Sequence, residues 1–227
     1  MQPYVFPYLG YFQLIAAVDK FILLDNVHYI NKGWINRNRL LLNNKITPFV
    51  IPLKKASQNK LIKDLEISYE TSWQIKLLKT IQAAYAKAPY FNVVFPMIRQ
   101  VLTANETHIA GLAHISLVRV LEYLNIHTEI IASSRDYANE HLRAQNKILD
   151  ICRQEQADDY VNLVGGAALY EKALFNQHGV RLIFLEPVLS AYQQHSADYI
   201  PGLSILDVLM HNSAEQISQM LQQHRLL

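Results

Sequence analysis

The run FILLDNVHYINKGWINRNR, residues 21–39, decides the fold, because an apolar segment passes directly into a dense set of polar and basic side chains. Its first four residues, Phe21 to Leu24, predict a short buried β-strand. In open α/β sheets, ligands bind just beyond the carboxyl ends of such strands. We therefore expect the functional site of this protein where this strand ends.

Predicted helices and strands alternate along the rest of the chain. Further strands are expected around residues 48–52, 61–67, 126–132, 160–164 and 182–185, and helices over 10–18, 71–85, 105–124, 139–154, 166–178, 203–209 and 213–221. This alternation is typical of α/β proteins. The predicted fold is α/β, with a mostly parallel sheet flanked by helices. We expect one domain over residues 1–227, with a helical lobe at about 71–124.

The composition restricts the classes of function. With 227 residues, 51% of them hydrophobic, the chain is long enough to bury one good core. A formal net charge of +2 is too small for a protein that coats a polyanion, so we expect no long nucleic acid as partner. No apolar run approaches the roughly 20 residues of a membrane span, and there is no cationic leader. We expect a cytoplasmic protein without a membrane span.

The cysteine and the histidines give little support to thiol or metal chemistry. Cys152 is the single cysteine, and its helical spacing with Leu149 and Ile151 predicts a packed residue, with a nucleophile as the alternative. The nine histidines show neither H-E-x-x-H nor Cys-His ligand spacing. We therefore predict no metal site.

The basic end of the opening run is a candidate anion site. If Asn36, Arg37, Asn38 and Arg39 form a strand, the two arginines share one face and the two asparagines the other. A guanidinium group is shaped for bidentate contact with phosphate or carboxylate. The alternative is a solvated basic edge strand. Because Asp25 is close in the sequence, we favour substrate binding by all four side chains.

A second polar segment, residues 54–60, follows a predicted strand. Its Lys54, Lys55, Gln58 and Asn59 offer ammonium and amide groups suited to phosphates or sugar hydroxyls. It is predicted to be a mobile flap over the substrate, and an ordinary lysine-rich loop is the alternative. Its combination with the arginine pair favours the binding interpretation.

Asp25 and His28 are the candidate catalytic residues. A carboxylate at a strand end can orient a substrate or accept a proton, and His28 is near enough in sequence to contribute. Alternatively, Asp25 stabilises a turn through its side chain. Gln2 and Tyr4 are expected at the neighbouring strand-to-helix turn, where the first helix could direct its N-terminal amides at an anion.

The junction after the strand at 160–164 is a weaker candidate. Gly165 and Gly166 would permit close approach of backbone amides to an anion, but the full phosphate-loop pattern is missing and a plain tight turn is the alternative. Asp207 lies within an apolar helical segment. It is predicted to be a buried carboxylate that pairs structurally rather than one that catalyses.

Several spaced motifs resemble the WbqC-like protein family. They are QPYVFPYLGYF (2–12), GWINRNR (33–39), PLKK (52–55), YVN (160–162) with the glycine pair at 165–166, LY (169–170) and LSILDVL (203–209). The resemblance implies a bacterial protein linked to O-antigen and lipopolysaccharide biosynthesis. Family members commonly carry a further apolar strand before Gln2, which we expect to be cut short or missing here. Relatives often have glutamine at His28, which implies that a histidine base there is not shared by the family.

The resemblance and the candidate residues together predict a group transferase acting on a nucleotide-activated amino sugar. Its most concrete form is amide formation with an activated acyl or aminoacyl donor, with no permanently held cofactor. One alternative is a nucleotidyltransferase-like enzyme, although the H-x-G-H motif is missing. Another is a non-catalytic subunit that binds or assembles around sugar nucleotides. Candidate protein partners are a second copy of the chain and enzymes of glycan biosynthesis.

Overall fold

Eight α-helices and seven β-strands form the protein, whose structure is a computed structural model that describes residues 1–227. The helices are α1 (Leu9–Ala16), α2 (Trp73–Tyr85), α3 (Phe91–Leu102), α4 (Ile109–Leu124), α5 (Ala144–Gln154), α6 (Lys172–Gln177), α7 (Ile205–His211) and α8 (Ala214–Leu221). The strands are β1 (Lys20–Ile22), β2 (Arg37–Leu42), β3 (Lys45–Val50), β4 (Glu129–Ile131), β5 (Asp159–Leu163), β6 (Arg181–Pro187) and β7 (His224–Leu226). None of the helices combines the length and the apolar character needed to cross a membrane.

The strands form three small sheets. β1 pairs in parallel with β4, β5 pairs in parallel with β6, and β7 adds an antiparallel edge to β6. β2 and β3 form a separate antiparallel hairpin. The α/β class is therefore present with two parallel pairs, but the strands do not join into the extended, mostly parallel sheet that was expected. The expected sheet is interrupted between β1 and β5, because these strands do not pair with each other and no strand lies between them.

The β2–β3 hairpin follows from its turn residues. Asn43 and Asn44 connect the strands, and both have positive φ angles, of 51° and 59°. A two-residue turn with φ above zero at both positions matches the right-handed twist of the flanking strands, and asparagine tolerates this conformation well. The hairpin presents the arginine-bearing strand β2 on a rigid two-stranded ribbon.

Four local predictions differ from the structure. Residues 61–67, predicted as a strand, contain a short 3-10 helix (Ile62–Asp64) and isolated bridges. The helix predicted over 166–178 is divided into a 3-10 helix (Val164–Leu169) and α6. Helix α3 was not predicted because Pro96 lies inside it, and proline removes a helical hydrogen bond. The helix predicted over 105–124 begins later than expected, at Ile109, with His108 at its N-cap.

Two apolar clusters lie on opposite faces of β5 and β6. The main core contains 43 buried residues between Val5 and Leu221, among them apolar residues of α1 and Leu185 of β6. The second cluster contains seven buried residues, among them Cys152 of α5 and Leu182 and Phe184 of β6. Because alternate residues of a strand point to opposite faces, helices α1 and α5 cover the two sides of the β5–β6 pair. Burial raises the pKa of the Cys152 thiol to about 11, which suits a packed residue.

Asp207 lies at the centre of a buried polar network in α7. Its carboxylate is completely buried and accepts hydrogen bonds from the hydroxyl groups of Tyr85 (2.9 Å) and Tyr192 (2.7 Å). It also accepts one from the side-chain amide of Gln194 at 3.0 Å. Burial is the main cause that raises the pKa of both tyrosines, so they stay protonated and keep donating. These contacts give Asp207 the structural role expected from the sequence.

Candidate functional site

The two faces of β2 separate the asparagines from the arginines. Asn38 is buried, whereas Arg37 and Arg39 on the other face are half-buried. Asn36 immediately precedes the strand and is buried as well. This is the alternation expected of a strand. The asparagine side chains therefore lie in the interior, and the arginine side chains lie at the surface.

The asparagine side chains tie the N-terminal segment to the hairpin. The amide of Asn38 donates to the carbonyl oxygens of Val5 and Phe6. Asn36 donates to the carbonyl of Ile51 at 2.8 Å and accepts from the Tyr29 hydroxyl at 3.0 Å. Because these groups bond to protein partners in the interior, a ligand could reach them only by breaking those bonds.

Arg39, Trp34 and Tyr4 come together at the surface. The guanidinium carbon of Arg39 lies 5.6 Å from the centroid of the Trp34 ring, a cation–π distance. The Tyr4 ring lies 6.1 Å from that of Trp34, and 53% of Trp34 is exposed. The Nε of Arg39 donates to the carbonyl of Gly202 at 3.1 Å, which fixes the guanidinium against the ring. We call Tyr4, Trp34 and Arg39, together with Arg37 on the same face of β2, the Trp34 cluster.

Both arginines of the Trp34 cluster lack a carboxylate partner. The lysines and arginines in ion pairs with carboxylates lie elsewhere: Lys20, Lys54, Arg119, Arg135, Arg153, Arg181 and Arg225. Burial raises the pKa of the Tyr4 hydroxyl, and the positive charge of Arg39 opposes that rise. Tyr4 is therefore neutral at pH 7, and the cluster carries net positive charge.

Asp25 bonds to the turn that follows the neighbouring strand β4. Its Oδ1 accepts hydrogen bonds from the backbone N–H of Ser134 (2.9 Å) and from the hydroxyl groups of Ser133 (2.9 Å) and Ser134 (3.2 Å). The residue is 4% exposed. These contacts support the turn-stabilising alternative, although the turn belongs to a distant segment. A catalytic role of Asp25 stays a prediction.

Substitution of Asp25 separates these two roles. Asp25→Ala removes the acceptor of three donors and is expected to lower the free energy of unfolding by about 2 kcal/mol. Asp25→Asn keeps an acceptor oxygen and should lose less stability. Urea unfolding measures both, with Asp64→Ala on the exposed side of the 3-10 helix as control. Wild-type stability of Asp25→Ala would contradict the structural role.

His28 and the 54–60 segment lie beside each other. His28 is exposed and forms an isolated bridge with Leu61, while the N–H of Tyr29 donates to the carbonyl of Lys60 at 3.0 Å. The segment thus returns alongside the residues that follow β1. Lys54 pairs with Glu66 at 2.9 Å, and Lys55, Gln58 and Asn59 are exposed without side-chain hydrogen bonds. Of the four predicted binding residues in this segment, only Lys55, Gln58 and Asn59 have side chains that are free to contact a ligand.

The N-terminal segment connects β1 to the Trp34 cluster. The N–H of Leu24 donates to the carbonyl of Met1 at 2.7 Å, which places Gln2 beside the end of β1. The carbonyl of Gln2 accepts from the Tyr11 hydroxyl at 2.8 Å, and Tyr4 follows against Trp34. The structure therefore brings Gln2 and Tyr4 between the end of β1 and the arginines of β2.

Other predicted anion contacts lie apart from the Trp34 cluster. A Cβ on Gly10 in the first turn of α1 would lie 2.5 Å from the Tyr8 ring and 2.9 Å from Pro187, so side chains cover that turn. Gly165 and Gly166 lie at the end of β5, in a different sheet from β2, and neither has a positive φ. Space is open around Gly165, and Gly166 faces the Asn162 amide.

Sequence reasoning missed two members of this surface. Trp34 is a large aromatic residue between a glycine and the basic end of a polar segment, and that position is a signal that could have identified it. Gly202 contacts Arg39 across 163 residues of sequence, so no local pattern indicates it.

A model of the WbqC-like protein family matches residues 2–219. The chain belongs to this family. The match includes the N-terminal segment, the Trp34 cluster and the Asp207 helix, so the resemblance found in the sequence motifs is confirmed.

One relative of this WbqC-like protein is the uncharacterized protein Rv1507c of Mycobacterium tuberculosis (strain ATCC 25618 / H37Rv). It is 26% identical over 212 residues, which cover 92% of this chain and 90% of the relative. No solved structure matches the chain.

Proposed function

We propose that this WbqC-like protein is a transferase that binds a nucleotide-activated amino sugar at the Trp34 cluster, in the synthesis of O-antigen or another surface polysaccharide. One observation carries the proposal: the half-buried Arg39 has no carboxylate partner and lies over the exposed ring of Trp34. The polysaccharide context is what the resemblance of the sequence motifs to this family implies.

An anionic ligand would complete the charge balance of the cluster. A partly desolvated guanidinium without a counter-ion is unfavourable, and phosphate oxygens can satisfy its donors in pairs. Arg37 shares the face of Arg39 two residues away, so the two forks can contact successive phosphates of a diphosphate. Because the net charge of the whole chain is small, the positive charge of the cluster would be the main electrostatic attraction for an anionic ligand.

The exposed aromatic ring suits the rest of a nucleotide sugar. Trp34 offers one half of its surface to solvent, and Tyr4 lies beside it with a neutral hydroxyl group. Aromatic faces stack on nucleobases and on the apolar face of sugars, whereas hydroxyl groups bond to sugar oxygens. The cluster thus places phosphate-binding arginines next to an aromatic stacking surface, and a nucleotide sugar requires both kinds of contact.

The transfer we favour forms an amide. The sugar amine attacks the carbonyl carbon of an activated acyl or aminoacyl donor, the carbon–nitrogen bond forms, and the donor's leaving group departs with the bonding electrons. Asp25 or His28 takes the proton lost by the amine. His28 is exposed and side-chain unbonded, whereas one oxygen of Asp25 already accepts three hydrogen bonds.

The same contacts of Asp25 favour a second candidate, a non-catalytic subunit that binds sugar nucleotides. In that case, the cluster would bind the ligand and no group would be transferred. Incubation of the pure protein with nucleotide-linked amino sugars and acyl or aminoacyl donors, followed by mass detection, separates the two. A mass increase equal to the acyl group supports the transferase, and binding without product supports the second candidate.

Substitution of Arg39 tests the binding site itself. Arg39→Ala should weaken nucleotide-sugar binding by about 10- to 150-fold, because loss of a bidentate charged contact costs about 1.5–3 kcal/mol. Arg39→Lys keeps the charge but loses the fork, and should recover only part of the affinity. Isothermal titration calorimetry measures both.

Arg119→Ala serves as the matched control, since Arg119 is an exposed arginine paired with Glu122 on α4. It removes the same charge away from the cluster and should leave the dissociation constant unchanged. Equal affinity of folded Arg39→Ala and wild type would overturn the site.

A further inference from the structure

The segment 200–205, which leads into α7, holds Arg39 at two points. The backbone N–H of Ser204 donates to the carbonyl of Arg39 at 3.0 Å. The carbonyl of Gly202 accepts from the Nε of the same arginine at 3.1 Å. The first bond fixes the main chain of Arg39 and the second fixes its side chain. The segment therefore determines where the guanidinium group lies.

The end of this segment nearest to α7 is anchored in the core. The hydroxyl group of Ser204 donates to the carbonyl of Phe6 at 2.8 Å, and the N–H of Ile205 donates to the carbonyl of Pro7 at 2.8 Å. Both Ser204 and Ile205 are completely buried. Because buried backbone groups lose free energy when they are left unpaired, this end of the segment cannot shift freely.

The beginning of the segment is anchored by Gln194. Its Oε1 accepts from the N–H of Ile200 at 2.8 Å, and its Nε2 donates to the carbonyl of Ile200 at 3.1 Å. The same Nε2 donates to the buried carboxylate of Asp207 at 3.0 Å. The Asp207 network thus fixes the backbone two residues before Gly202. The motif at 203–209 supplies anchors for both ends of the segment.

Gly202 leaves no room for a side chain. Its φ is +69°, in the left-handed region that glycine adopts at no steric cost. A Cβ at this position would lie 3.0 Å from the Nη2 of Arg39, closer than ordinary van der Waals contact. The guanidinium group is the end of a flexible side chain, so it would have to move. Glycine is therefore needed here both for the backbone and for the position of Arg39.

The bond to Gly202 also selects the donors that Arg39 can offer. A guanidinium group carries one N–H on Nε and the others on Nη1 and Nη2. The carbonyl of Gly202 takes the Nε–H, and the Nη atoms have no acceptor in the protein. An anion can thus form a bidentate contact only with the two Nη atoms, at the end of the side chain.

We propose that Gly202 is a positioning residue of the anion site: its carbonyl and its lack of a side chain hold Arg39 so that both Nη atoms face the ligand. A long side chain that is fixed before binding loses less rotamer freedom when the ligand arrives. This inference rests on the function proposed for the Trp34 cluster. It assigns to segment 200–205 a part in ligand binding.

Substitution of Gly202 has a matched control in Gly179. Gly179 has a φ of +73°, and a Cβ there would have no atom within 4 Å. Gly202→Ala and Gly179→Ala therefore introduce the same backbone strain, and both should melt below the wild type. Only Gly202→Ala displaces Arg39. By isothermal titration calorimetry with inorganic pyrophosphate, it should weaken binding by about 3- to 10-fold, whereas Gly179→Ala should bind as the wild type does.

Two further variants separate displacement of Arg39 from backbone strain. Asparagine tolerates a positive φ, so Gly202→Asn should melt above Gly202→Ala while its Cβ still displaces the guanidinium group and binding stays weak. In an Arg39→Ala background, Gly202→Ala should not weaken pyrophosphate binding further, because the group that it displaces is absent.

The outcomes distinguish this inference from the function on which it rests. If Arg39→Ala weakens pyrophosphate binding but Gly202→Ala binds as tightly as Gly179→Ala, the positioning role is overturned and the anion site remains. If Gly202→Ala weakens binding equally with and without Arg39, its effect does not pass through the arginine, and the role is again overturned. Equal binding by the wild type and Arg39→Ala would remove the anion site and the positioning role together.

Discussion

An Asp207→Ala variant is expected to lose about 3–5 kcal/mol of unfolding free energy, because the substitution breaks a buried charged network at its centre. The carboxylate is completely buried and accepts three hydrogen bonds, from Tyr85, Tyr192 and Gln194. Removing it takes the acceptor away from both tyrosine hydroxyl groups, whereas the Gln194 amide still donates to the carbonyl of Ile200 at 3.1 Å. Urea unfolding at pH 7 should show a lower midpoint with an unchanged slope.

A matched control and a double substitution test whether the broken hydrogen bonds cause this loss of stability. Asp198→Ala removes an exposed carboxylate from the preceding loop and should change stability by less than about 0.5 kcal/mol. In the Asp207→Ala background, Tyr192→Phe should cost less than it does in the wild type, since its hydroxyl has already lost its acceptor. A loss below about 1 kcal/mol for Asp207→Ala would show that the network contributes little.

For the 227-residue chain with a free amino group on Met1, the free energy of unfolding is also expected to rise by about 4 kcal/mol between pH 5 and pH 8. Burial lowers the pKa of this group from 8.0 to about 5. Between these values the unfolded chain holds a proton that the folded protein has lost, so stability increases with pH. Above pH 8 neither state holds the proton, and the contribution becomes constant.

Acetylation of the amino group isolates this effect. The acetylated protein should lose most of the rise, whereas His114, whose pKa burial also lowers, keeps its smaller contribution of the same sign. The only acceptor of the amino group is the carbonyl of Ile22. The charged and titratable residues that line the cavity beside Met1 and Ile22 are Asp19, Lys20, Cys152, Glu155, Asp158, Asp159 and Tyr160. Identical pH profiles of the free and acetylated proteins would show that the amino group is solvated.

Most helices were predictable because their signals are local. Apolar residues at helical spacing identified α2 and α4, and Ser213 with Gln216 forms a capping box at the start of α8. Gly179, with a φ of +73°, ends the α6 region as expected. The one missed helix, α3, contains Pro96, which normally argues against a helix.

The strands and the candidate site were less predictable. The alternation over 36–39 indicated that the asparagines and arginines lie on opposite faces, which the structure confirms. It did not indicate which face is buried. Residues 61–67 alternate in the same way and do not form a strand, because the 3-10 helix Ile62–Asp64 interrupts the extended backbone and leaves only isolated bridges.

The sequence by itself determined the features that depend on neighbouring residues: the α/β class, the helical segments, the turn glycine and the family. Only the tertiary structure decided that Asp25 bonds to Ser133, 108 residues away, and that Trp34 lies between Tyr4 and Arg39. It also decided that β1 and β5 stand apart around a groove. Contacts of this kind depend on the packing of the whole chain, because closing a long loop costs entropy that many distant interactions must offset together.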